Sequence, residues 1–195
     1  LRVGESVITL PGGNPNWFTV VDIDTEDDFK EIAASDSGPS GDYTTSFYTW
    51  DGESLALVGT IEGMDDQVVY DGEGGVTTDT RASILDTWFY RDTYQLLPDH
   101  TLARVPKDFY ERIDQGQPIT VLAPLVLQTS PTDSTDAITL QTDDVITILG
   151  CDDVEWCQIQ TADKSTGWFA LENFNVIRGT GLEAREFFDG LSYAD

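Results

Sequence analysis

Six carboxylates crowd into ten residues near the start of the chain: Asp22, Asp24, Glu26, Asp27, Asp28 and Glu31. A hard divalent cation such as calcium takes about six to eight oxygen ligands, and clustering carboxylates without one costs repulsion. Asp22, Asp24, Asp27, Asp28 and Glu31 are therefore candidate calcium ligands, with Glu26 able to stand in for Asp27. The alternative is a solvated acidic turn whose charges repel mildly in water. A second pair with chemistry of its own is Cys151 and Cys157. Two thiols with no histidine nearby cannot close a tetrahedral zinc site. They read either as two small core residues or as a cross-strand disulfide, which would fit an oxidising compartment.

Catalytic constellations are sparse. The single histidine, His100, sits in Pro98-Asp99-His100, a turn between strands. A serine triad would have to use it, yet no Gly-x-Ser-x-Gly elbow occurs. A Cys-His pair would have to join His100 to Cys157 across two domains. Paired carboxylates can hydrolyse glycosides, but with 36 acidic residues any pair picked from sequence is arbitrary. Gly72-Glu73-Gly74-Gly75 joins two strands and opens no helix, so it is no phosphate loop. The expectation is a protein that is not an enzyme.

Charge narrows the partners. Acidic residues outnumber basic ones 36 to 10, for a formal charge of −26. A surface of that sign repels nucleic-acid phosphates and anionic headgroups. No stretch approaches the ~20 apolar residues that span a bilayer. The 11% of aromatic residues supplies packed β-structure and argues against disorder. The opening Leu1-Arg2-Val3-Gly4 reads as the start of a mature piece, its leader or anchor removed.

The elements that must position these groups are short strands separated by turn signals. Strands are predicted at 17–21, 31–35, 44–50, 54–61, 67–70, 76–78, 84–90, 94–97 and 101–104. Asp51-Gly52 and Asp71-Gly72 mark hairpins, because an Asp-Gly pair tolerates positive φ. Residues 106–115 read as a connector with one helical turn. A second β set follows at 119–126, 138–141, 145–149, 156–161, 166–170 and 175–177, with a polar loop at 128–136. Thr180 with Glu183 predicts a helix carrying Leu182, Phe187, Phe188 and Leu191 on its apolar face, with Gly190 at its end.

Two resemblances sit on these segments. Val20 to Asp36, followed by Gly38-Pro39-Ser40 and then Tyr48-Thr49-Trp50-Asp51-Gly52, resembles an FG-GAP/VCBS-type blade of a β-propeller. That resemblance covers 17–62 and, more weakly, 63–105. It implies a calcium loop at 22–31. Asp144 to Leu149, Glu155-Trp156-Cys157-Gln158-Ile159 and Thr166-Gly167-Trp168-Phe169 resemble a bacterial Src-homology-3-type (SH3b) barrel. It implies a shallow groove lined by Trp156 and Trp168, whose rings could instead fill an interface with the other domain or the terminal helix.

The expected fold is all-β: a blade-like antiparallel meander over 1–115, then a small Src-homology-3-like barrel with a short terminal helix over 116–195. The expected function is a non-catalytic, extracellular or cell-surface binding module of a Gram-positive-type bacterium, contacting cell-wall glycan or peptide. A structural spacer of a longer secreted protein, or an accessory part of a carbohydrate-active hydrolase, are the alternatives.

Overall fold

The computed structural model describes residues 2–7, 17–38, 43–63, 65–114 and 117–193. They form an essentially all-β protein of several antiparallel sheets. Two compact units result, neither continuous in sequence. The first takes Leu1–Thr80 and Arg91–Pro106, the second Arg81–Tyr90 and Lys107–Asp195.

The first unit begins with a ribbon of β1 (Arg2–Val3) and β2 (Ser6–Val7). Then β3 (Trp17–Val21), β4 (Glu31–Ser37), β5 (Tyr43–Trp50) and β6 (Leu55–Glu62) pair in chain order. Threonine, valine and aromatic residues suit the pleated surface. The β5–β6 turn closes because Asp51 Oδ1 accepts the N–H groups of Glu53 and Ser54 at 2.8 and 2.7 Å. Gly52 supplies the φ of +100° that this turn requires. A second sheet orders β10 (Leu102–Arg104), β9 (Phe89–Leu96), β8 (Gly75–Arg81) and β7 (Val69–Tyr70). Its β7–β8 turn is drawn onto Asp71, and a Cβ on Gly75 would meet Asp71 Oδ2 at 2.0 Å. Ala33, Phe47, Val58 and Ile61 join Ile23, Val68, Val76 and Tyr94 in one apolar core. Both sheets are open, and no propeller ring closes among the described residues. Of Gly38-Pro39-Ser40, only Gly38 lies within the described residues.

The second unit is one larger sheet. Its strands are β11 (Tyr110–Glu111), β12 (Ile119–Val121), β13 (Leu125–Ser130), β14 (Asp133–Leu140), β15 (Val145–Cys151), β16 (Trp156–Thr161), β17 (Thr166–Glu172), β18 (Val176–Ile177) and β19 (Phe188–Asp189). The paired order is β14-β13-β17-β16-β15-β12-β19, with β11 on β15 and β18 on β17. That path is open at β14 and β19, so hydrogen bonding does not close the expected barrel among the described residues. Alternate residues such as Leu127, Ile148, Ile159 and Phe169 fill its core. Ile84, Leu85, Trp88 and Tyr90, from the 81–90 segment, are buried in the same cluster.

Four local expectations need correction. Residues 82–88 are not strand but a compact loop, held by Trp88 Nε1 donating to the Ile84 carbonyl at 3.1 Å. Most of the polar 128–136 stretch is not loop but the paired ends of β13 and β14, Gln128 opposite Asp136 and Ser130 opposite Asp133. The 106–115 connector shows no helical turn among its described residues and instead lays β11 on β15. The terminal helix is a single 3-10 turn, Ala184–Glu186, capped by Glu183 and Glu186 rather than by Thr180. Thr180 Oγ1 is spent on the Ile177 carbonyl at 2.8 Å, and Gly181 turns the chain at φ +70°. A longer helix would also break the pairing of Phe188 with Val121.

Candidate functional site

In the acidic loop the backbone and one lysine occupy most of the carboxylates. Asp22 is ion-paired to Lys30. Asp24 Oδ1 accepts the Glu26 N–H at 3.0 Å, and Asp27 Oδ1 accepts that of Phe29 at 2.7 Å. Asp27 Oδ2 lies 3.9 Å from His100 Nδ1, and the imidazole packs 4.2 Å from the Phe29 ring. Asp28 is exposed. Glu31 is 1% exposed, its Oε2 accepting the Ile23 N–H at 3.1 Å. Burial, reinforced by Asp27 and Asp22, raises the Glu31 carboxyl above the ordinary glutamate range. Asp22 Oδ1 and Glu31 Oε1 are buried with no hydrogen-bond partner. A calcium ion needs about six to eight oxygens. Among the described residues no group of three or more His, Cys, Asp or Glu is arranged to hold a metal. In this conformation the five candidate ligands are not gathered into one cage.

The second candidate is the outward face of the second unit. Cys151 and Cys157 stand directly opposite on β15 and β16, fully buried, and are joined by a disulfide with Cα atoms 4.0 Å apart. In the turn between them Asp152 Oδ1 accepts the N–H groups of Val154, Glu155 and Trp156 at 2.9, 2.8 and 2.8 Å. That carboxylate fixes where β16 starts and so where Trp156 points. Strand alternation then sends Cys157 and Ile159 inward, and Trp156, Gln158 and Gln160 outward.

Trp156 and Trp168 line the same shallow groove of about 210 Å³, together with Val126 and Gln128. They differ in access. Trp156 is 9% exposed, with the Arg178 guanidinium 5.2 Å over its ring and its indole N–H on Glu155 Oε1 at 2.9 Å. Arg178 is itself ion-paired to Glu155. Trp168 is half-buried, with Phe109 meeting it edge-on at 5.4 Å. Across the sheet Trp168 stands between Gln128 on β13 and Gln158 on β16. On the far side of that row a depression of about 400 Å³ is lined by Phe109, Gln158 and Gln160 at its near rim and by the charged Glu111, Arg112, Asp114 and Lys164.

Sequence reasoning found both tryptophans but not Gln128, Gln158, Phe109 or Arg178. Alternation with Cys157 and Ile159 marks Gln158 as outward, but only the strand register sets it and Gln128 beside Trp168. Chemically, the face offers an aromatic plate, amide donors and acceptors, and a cation at either side.

Antiparallel strands around one apolar interior, with a small groove on the outer face, define a compact β domain. Its central part has a known likeness: residues 126–177 match the family model of the variant SH3 domain. The match covers about a quarter of the chain, which makes that segment SH3-like. No curated protein matches the chain, and no solved structure does. Among the described residues no helix is long and apolar enough to cross a membrane.

Proposed function

We propose that this protein is a non-catalytic binding module of the cell exterior, whose SH3-like segment contacts cell-wall glycan or peptide through the Trp168 face. The observation that carries this reading is local neutrality. In a chain of formal charge −26 the row Gln128-Trp168-Gln158 bears no carboxylate. Neutral aromatic and amide surface on so acidic a protein is what an interaction site requires, because charge elsewhere keeps the protein soluble and the patch free. The Cys151–Cys157 disulfide supports an extracellular setting, where such bonds persist. The first unit, with its blade-like meander, then serves to carry or space the recognition domain. A purely structural role draws support from Trp88 and Trp156, both buried.

The test is co-sedimentation with purified Gram-positive cell walls. Wild type is retained, and Trp168→Ala, checked for an unchanged melt, is not. Wild type left wholly in the supernatant ends the binding reading and leaves the spacer.

A further inference from the structure

We infer that the ligand of the Trp168 face is a neutral glycan chain rather than a peptide, an inference that rests on the binding reading above. Three features of the face point the same way.

The first is the hydrogen-bonding character of the row. Gln128 and Gln158 flank Trp168 from the two neighbouring strands, and neither amide bonds to another described side chain. A carboxamide carries donors and acceptors together, as a sugar hydroxyl does. A phosphate or carboxylate ligand would be met by donors alone, and an ammonium by acceptors alone. Two amides left unspent among the described residues, either side of an indole, suit a ring whose apolar face stacks while its equatorial hydroxyls reach sideways.

The second is spacing. Neighbouring strands lie about 4.8 Å apart, so the two amides straddle the indole over roughly 10 Å. That is about the width of one pyranose with its substituents. Gln160, two residues along β16, continues the amide line towards the polar depression, where Lys164 Nζ holds its Oε1 at 3.1 Å. The arrangement lets a chain run from the groove beside Trp156 past Trp168 to Gln160, short of the charged Glu111, Arg112 and Asp114 of the depression, with Arg178 already paired to Glu155.

The third feature is the lack of a free strand edge at the row. β17 is paired to β16 on one side and to β13 on the other. An extended peptide that binds by strand addition needs unpaired backbone groups, and at Trp168 both neighbours already occupy them.

The experiment uses the full chain and two probe panels, neutral oligosaccharides on an array and soluble wall-type stem peptides, beside intact cell walls. The expected result is binding to neutral oligosaccharides, unchanged between low and half-molar salt because no ion pair is made. Gln128→Ala with Gln158→Ala, both outward changes, should weaken that binding about tenfold while the melt stays in place. Binding to stem peptides alone, or to charged glycans alone, overturns the neutral-glycan inference and leaves the binding face standing. Retention on cell walls with no glycan bound in the array has the same meaning. Failure to bind cell walls at all overturns the reading beneath it.

Discussion

The Tyr90 phenol donates to Asp153 Oδ2 at 2.8 Å, joining residues 63 positions apart. Asp153 Oδ1 also accepts the Ser83 N–H at 2.6 Å, and Asp153 itself holds a left-handed φ of +62°. A second turn of the same unit completes the grip, with the Phe174 carbonyl accepting the Leu85 N–H at 3.0 Å. The 81–90 segment is thus held by polar contacts at its margins while Leu85 and Trp88 lie at 0% and 1% exposure within the core.

Removing this segment should cost the second unit its cooperativity. A fragment of residues 107–195 lacks five residues of its own core cluster, Ala82, Ile84, Leu85, Trp88 and Tyr90, and burying a large apolar side chain such as Ile84 or Leu85 is worth about 1.5–3 kcal/mol. We expect the fragment to show no sigmoidal urea transition, while Tyr90→Phe in the full chain lowers stability by about 1–2 kcal/mol. A fragment that melts cooperatively would show the insertion to be dispensable.

Glu31 sets a pH dependence of the opposite sign to that of the turn aspartates. Its carboxyl is raised by burial, so its ionised form costs stability at neutrality, and the cost fades as pH falls through the folded value towards the unfolded one. Asp51, Asp99, Asp133 and Asp163 are lowered by hydrogen bonds from turn residues, so their contribution holds above the ordinary aspartate range and is lost on further acidification. The Tm should therefore peak on the acid side of neutrality. Glu31→Gln, which keeps an acceptor for the Ile23 N–H, should raise the neutral-pH Tm and flatten the approach to that peak. A lower Tm for this variant would mean that the ionised carboxylate is needed.

Calcium gives a separate reading of the same loop. With Lys30 on Asp22 and backbone amides on Asp24 and Asp27, an incoming ion must displace an ammonium and open two turns. Melts in millimolar calcium and in chelator should coincide. A calcium-dependent rise of several degrees would show that the side chains regroup around the ion.

The disulfide closes a loop with a sequence separation of 6. Loop-closure entropy for so short a span corresponds to about 2 kcal/mol. Cys151→Ala with Cys157→Ala should cost at least that, and should shift the emission of Trp156, which starts β16 immediately before Cys157. An unchanged urea midpoint would show that the Asp152 turn holds β16 unaided.

Much of the first meander was readable because its chemistry is local. The Asp51-Gly52 and Asp71-Gly72 turns and the alternating strands β3 to β6 each declare themselves within eight residues. The 84–90 stretch misled because a buried loop is as apolar as a buried strand, and period alone cannot separate them. The 128–136 ribbon misled in the other direction: Thr129, Thr132 and Ser134 are exposed, so no apolar alternation marks the pairing. Leu182, Phe187 and Phe188 resemble a helix face, but the partner that makes Phe188 a strand residue is Val121, far away in sequence. At the candidate site the aromatic residues were visible and the amides were not, because only cross-strand register sets Gln128 and Gln158 beside Trp168.

The hairpin loop also imposes an order on biosynthesis. Thr87 donates its N–H to the Ser192 carbonyl at 2.6 Å. A ribosome adding about 5–20 residues per second takes on the order of ten seconds to travel from one to the other. Until the stretch around Phe188 to Ser192 has been made, Leu85 and Trp88 have no finished core to enter, so the interior of the second unit closes late in synthesis.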